Sequence, residues 1–145
     1  VKRKIFIALS ALFVIIQFFR ADQLNPPKIA AEDFFAMNEA PEEIASLIHS
    51  ACYDCHSHHT SYPWYSQIAP VSWWMGDHVS EGRSHMNFST WSHLSSKDVD
   101  HTLEEIIEVL EKKEMPMLPY MIMHKKAWIN AEQRAELAAY FQSLR

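Results

Sequence analysis

Glycine is nearly absent from this chain. Gly76 and Gly82 are the only two among 145 residues. A turn-rich β fold needs glycine at many tight turns, so the scarcity excludes a sandwich or barrel and points to helices joined by proline- and serine-containing loops. Cysteine is equally scarce: Cys52 and Cys55 stand alone, which excludes a disulfide-stapled framework. Acidic side chains are missing from the first twenty residues, where Lys2, Arg3, Lys4 and Arg20 are the only charges. The rest of the chain carries 9 basic and 18 acidic residues, a net of −9. A body of that sign argues against nucleic acid as a partner and fits a basic docking patch on another protein. Internal repeats and low-complexity segments are also lacking.

Long hydrophobic runs are missing too, with one partial exception. Ile5 to Phe19 is apolar apart from Ser10 and Gln17, and a basic cluster precedes it. Phe18-Phe19-Arg20-Ala21-Asp22 offers no small-x-small cleavage site, so residues 1–21 read as an uncleaved signal anchor or transmembrane helix. The run makes only about 22 Å of helix, short of a hydrocarbon core of about 30 Å, so Lys4 and Arg20 would have to snorkel. The positive flank places the N-terminus inside and the remainder outside. The resulting expectation is an inner-membrane-anchored protein with its domain facing the periplasm or exterior. Residues 22–38, stiffened by Asn25-Pro26-Pro27, read as an extended tether, with Phe34 and Phe35 folding back onto a domain over 39–145.

Within that domain the periodicity is helical. Pro41, Glu42 and Glu43 suit a first turn, and Ile44, Leu47, Ile48 and Ala51 form an apolar stripe. A second helix begins at Pro70, with Val71, Trp74, Met75, His78, Gly82 and His85 on its inner face. A third runs from near Ser96 to Lys113. Glu114-Met115-Pro116-Met117-Leu118-Pro119 must be irregular, because two prolines interrupt it. A last helix starts at Asn130, which can form a capping box with Gln133. The fold class read from this is all-α.

The first of these helices delivers Cys52-Tyr53-Asp54-Cys55-His56. Two cysteines separated by two residues and followed at once by histidine form the attachment pattern for a c-type haem. Each thiol can add across one vinyl group, and the adjacent imidazole can bind the iron. One covalent haem c is therefore the expected cofactor, with Cys52 and Cys55 as thioethers and His56 as the proximal ligand. Two alternatives use the same residues. A dithiol redox pair would follow a strand and open a helix, and no strand pattern precedes Cys52. Structural zinc would need two ligands from His56, His58 and His59 in addition to the thiols, a tighter cluster than usual.

A helix ending in this motif, a Met-Pro loop some sixty residues later and an aromatic C-terminal helix together resemble a small monohaem cytochrome c. More narrowly, the chain resembles the small membrane-anchored haem-binding domain family. The residues carrying that resemblance are Cys52 to His56, Tyr62-Pro63-Trp64-Tyr65, Ile68 to Trp74, Asp77-His78-Val79, Glu81-Gly82-Arg83, Asn87-Phe88-Ser89 and Glu114-Met115-Pro116. It implies haem binding and an extracytoplasmic location, and the broader cytochrome resemblance implies a fold whose first and last helices cross beside the haem.

Electron transfer between redox partner proteins is the function that best suits such a chain, a carrier rather than an enzyme. The alternatives are a haem peroxidase or a gas-sensing haem with a displaceable distal ligand. For the distal ligand the sequence favours Met115. It lies 59 residues after His56, in a loop that Pro116 keeps from becoming helix, and a thioether binds haem iron well. Met117 shares the loop, and His78 and His85 share the inner stripe of the second helix, so these three remain alternatives. Arg83 is a candidate partner for a haem propionate, and the Pro70 carbonyl a candidate acceptor for the second nitrogen of His56.

Overall fold

The computed structural model describes residues 1–145 and is helical throughout, with no strand. Eight α-helices follow one another: α1 (Lys2–Ile16), α2 (Phe34–Met37), α3 (Glu42–Ala51), α4 (Tyr53–His56), α5 (Val71–His85), α6 (Ser96–Glu111), α7 (Leu118–Met123) and α8 (Ala131–Ser143). Short 3-10 turns at Trp64–Gln67 and Phe88–His93 punctuate the loops on either side of α5.

The core lies between α3, α6 and α8, with α2 and the Phe88–His93 turn closing one end. Phe34 sits at its centre, fully buried, with edge-on contacts to Trp91 at 4.8 Å and Phe88 at 5.2 Å. Ile48, Leu103, Leu137 and Phe141 complete it. The stripes of α3 and α6 are amphipathic in the expected register, and α3 packs on α8. Helix α8 begins where its sequence says it should. The Asn130 side chain accepts from the Gln133 N–H at 2.8 Å, and Gln133 returns the bond to the Asn130 N–H at 2.9 Å.

One expectation is corrected at the N-terminus. No helix of the protein is long and apolar enough to cross a membrane. Helix α1 has fifteen residues, and its first turn consists of Lys2, Arg3 and Lys4, so the apolar part is shorter still. The transmembrane helix is therefore not supported, and the membrane-anchored location inferred from it loses its ground. Nor is residue 17 available to extend a span, because the Gln17 amide is paired with the backbone of Ala69: Ala69 N–H donates to Oε1 at 2.9 Å and Nε2 donates to the Ala69 carbonyl at 3.2 Å.

Residues 22–38, read as an extended tether, make bonds to the rest of the chain, as do the residues just before them. Trp73 Nε1 donates to the Phe19 carbonyl at 2.5 Å, Asn25 Nδ2 to the Thr60 carbonyl at 2.9 Å, and Gln23 pairs with Ser66. Gly76 admits this strap: a Cβ there would lie 2.8 Å from the Ala21 Cβ. Residues 17–29 thus run as a strap along the loop and helix that follow Cys55, and 30–37 enter the core through Phe34.

The inner face of α5 also differs from the hydrophobic reading. Ser72, Val79 and Gly82 are buried, while Val71, Trp74 and His85 are exposed. Small residues face inward because the helix comes very close to its neighbour. Hydrophobicity cannot signal a contact made by serine and glycine.

Candidate functional site

Helix α3 ends at Ala51, and Cys52 caps it by donating its N–H to the Ile48 carbonyl at 2.9 Å. The chain then turns directly into the four-residue α4, held by the bonds from Cys55 N–H (3.2 Å) and His56 N–H (2.9 Å) to the Cys52 carbonyl. One short turn therefore carries both thiols and the imidazole. Both cysteines are unpaired and half-buried. Burial, above all, pushes the Cys52 thiol up to about 12 and Cys55 to about 11. Protonated thiols of this kind do not suit a dithiol redox pair, which works through a stabilised thiolate.

His56 is oriented from behind. Its Nδ1 lies 2.9 Å from the Gly82 carbonyl and 3.2 Å from the Met86 carbonyl. Carbonyl oxygens only accept, so Nδ1 carries the proton and Nε2 keeps its lone pair. Burial lowers the pKa of His56 below its ordinary value against the opposing pull of the two carbonyls, so the ring is neutral at pH 7 and able to bind a metal. The acceptor is thus the end of α5, not Pro70. Gly82 makes the approach possible: a Cβ on it would lie 2.8 Å from the Cys55 carbonyl oxygen and 3.3 Å from the Cys55 Cβ.

The loop after His56 is knotted by its own polar groups. Ser57 Oγ donates to the Tyr53 carbonyl at 2.7 Å, Thr60 Oγ1 to the Asp54 carbonyl at 2.6 Å, and Ser61 N–H to Asp54 Oδ1 at 2.9 Å. Arg83 ties this knot to the N-terminal strap. Its guanidinium donates to the Ser57 carbonyl (2.8 Å), Asn25 Oδ1 (2.6 Å), Thr60 Oγ1 (2.9 Å) and the Leu24 carbonyl (3.3 Å). Four protein acceptors engage it, which is a structural role and not that of a free propionate partner. His58 is likewise engaged, by the Pro27 carbonyl and Asn87.

The remaining sequence candidates occupy two different sides. His78 is half-buried, bonded through Nδ1 to the Trp74 carbonyl at 2.8 Å and packed on the Trp74 ring at 4.2 Å; His85 is exposed. Both belong to α5, the helix that backs the Nδ1 side of His56. Met115 and Met117, both half-buried, belong to the connection between α6 and α8. The Met115 carbonyl accepts from Arg134 Nη1 at 2.5 Å. Downstream, Tyr120 donates its hydroxyl to Asp54 Oδ2 at 2.8 Å, which brings this connection onto α4. Sequence reasoning did not find α7, the carbonyls of Gly82 and Met86, or the roles of Asp54, Tyr120 and Arg134. Only Gly82 had a signal, as one of two glycines in the chain.

No three His, Cys, Asp or Glu side chains converge as a metal cluster, so the zinc alternative has no ligand set. The features present fit a haem instead. A neutral imidazole with its second nitrogen fixed adjoins two thiols on one turn. Large apolar side chains lie exposed on both flanking segments, Trp64, Ile68 and Trp74 on one and Leu118 and Ile122 on the other. The Tyr65 hydroxyl and His124 Nε2, 3.3 Å apart, join those segments. Such surface suits a planar apolar macrocycle. Two solvent grooves elsewhere, one between α6 and α8 and one lined by Glu42, Glu43, Glu132 and Glu136, contain neither cysteine nor histidine.

The profile of a family described as a haem-binding domain matches residues 11–143. The match begins inside α1, ahead of the strap. No curated protein and no solved structure matches the chain.

Proposed function

Since the chain belongs to the haem-binding domain family, we propose that it holds one haem c covalently through Cys52 and Cys55 and carries single electrons between redox partner proteins. His56 and Met115 are the axial iron ligands in this reading. The observation that carries it is the pair of carbonyls, Gly82 and Met86, on Nδ1 of His56, beside two unpaired thiols on the same turn. A bound haem supplies a reversible one-electron iron couple.

The chain's own residues supply the rest. The two carbonyls fix the tautomer and plane of His56 and raise the basicity of Nε2, as outer partners of a ligating histidine do. Helix α4 and its N-cap residue Cys52 hold the two sulfurs and the imidazole on one turn. The choice of Met115 over His78 and His85 is supported by their positions. His78 and His85 ride on α5, the helix whose end bonds Nδ1 of His56. Met115 belongs to a separate connection that Tyr120 draws toward α4. The adjoining Met117 caps α7.

The test is expression of the full chain with a covalent haem-attachment system, followed by intact mass and an optical spectrum. The expected result is the chain plus one haem, low-spin iron, and loss of the weak far-red methionine–iron band in Met115→Ala but not in Met117→Ala. Haem that leaves the denatured protein in acidified organic solvent overturns the covalent reading. An unchanged spectrum in Met115→Ala overturns the choice of ligand.

A further inference from the structure

The connection that carries Met115 is fastened at both ends. On the entering side, Arg134 of α8 donates Nη1 to the carbonyls of Met115 at 2.5 Å and Leu110 at 3.1 Å. On the leaving side, the Tyr120 hydroxyl lies 2.8 Å from Asp54 Oδ2 and 3.1 Å from the Ser50 carbonyl. A phenol has one proton to give, and the nearer, charged carboxylate takes the larger share. Between the two fastenings stand only residues 116–119, two of which, Pro116 and Pro119, restrict the backbone.

Neither partner of the Tyr120–Asp54 bond is free to drift. Asp54 stands between the two cysteines, and its Oδ1 accepts the Ser61 N–H at 2.9 Å. Tyr120 is stacked on His124 with ring centres 4.2 Å apart, and His124 Nδ1 bonds the Tyr120 carbonyl at 3.0 Å. Burial, above all, and the bond to and charge of Asp54 push the Tyr120 phenol well above its ordinary range, so it is a donor at neutral pH.

We propose that Tyr120 and Asp54 are positioning residues: their hydrogen bond locks the methionine connection against the cysteine–histidine turn and so sets how firmly the sixth iron position is closed. This rests on the reading of that connection as the source of the distal ligand.

The test titrates the ferric full-length haem protein with imidazole, an external ligand that competes for the sixth position, and follows the optical spectrum. Variants are Tyr120→Phe, Asp54→Asn, their double substitution, and Met115→Ala and Met117→Ala, each methionine variant made alone and together with Tyr120→Phe. Tyr140→Phe is the control, because its hydroxyl bonds the Glu39 carbonyl at 3.2 Å and no group of the methionine connection. Imidazole is expected to bind about tenfold tighter to Tyr120→Phe and to Asp54→Asn, the scale of losing one hydrogen bond to a charged group. The double variant should show no more than the larger single effect, Tyr140→Phe none, and Met115→Ala should abolish the Tyr120 effect.

If Met115→Ala opens the site while Tyr120→Phe leaves imidazole affinity unchanged, the clamp is refuted and the ligand reading stands. An equal gain in Tyr140→Phe also refutes it, since general loosening would then explain the change. If Met117→Ala, and not Met115→Ala, abolishes the Tyr120 effect, the clamp stands and Met115 is the wrong ligand. If neither methionine substitution alters imidazole binding, the distal reading fails and the clamp fails with it.

Discussion

Single residues decide how His56 is held. Gly82 does two things at once: its missing Cβ admits the Cys55 backbone, and its carbonyl accepts the hydrogen bond from Nδ1–H of His56. Gly82→Ala is therefore expected to destabilise the protein by about 1–3 kcal/mol, the usual cost of overpacking a tight contact, and to change the haem reduction potential as well. A urea melt and a redox titration of the same sample check both. Arg83→Ala should cost about 2 kcal/mol, because four acceptors from two segments lose a charged donor. Arg83→Lys should recover little of it, since one ammonium cannot reproduce the planar fork. The residues of the cysteine–histidine turn were legible in the sequence because their spacing is set by chemistry. The carbonyls behind them were not, because a backbone oxygen has the same identity at every position and only the fold selects which one points at Nδ1.

Elements were legible where local chemistry marks their ends. Asn130 and Gln133 form the reciprocal cap that their spacing announces, and Asn130→Ala should lower stability by about 1 kcal/mol, read as a drop in urea midpoint. Helix α7 was hidden by Pro119, which stands in its first turn and so begins the element instead of breaking it. The orientation of α5 was hidden for a different reason, since its buried side consists of Ser72, Val79 and Gly82. The end of α8 is tied to α6 by Arg145, bonded to Asp100 at 2.8 Å. That bond and the charge of Arg145 hold the Asp100 carboxyl below its usual range. A depressed carboxyl contributes stability above its unfolded pKa and loses it as pH falls through the lower folded value. The small fall in melting temperature caused by Arg145→Ala should accordingly be seen near pH 7, vanish at strongly acid pH and shrink in 1 M salt, as a surface pair is screened.

At the scale of the whole molecule, the residues before 39 are packed onto the helices that follow them. Residues 39–145 looked self-contained because the preceding prolines and polar residues resemble a linker, yet Phe34 is fully buried and the strap is bonded along its length. Removing residues 1–16, none of them buried, should leave the melting temperature nearly unchanged. Removing 1–38 should cost at least the 3–5 kcal/mol or so of deleting a core phenylalanine, and a chain trimmed to residue 39 is expected to melt far lower. The strap also has a place in time. Its partners lie far along the chain: 54 residues separate Trp73 from Phe19 and 59 separate Arg83 from Leu24. Contacts of such long separation close late, because the entropy of a large loop must be lost first. While the chain is being made, α3 and α4 can form locally before the strap has anything to bind. The cysteine–histidine turn can thus take its local shape before the strap closes on the loop and helix that follow it.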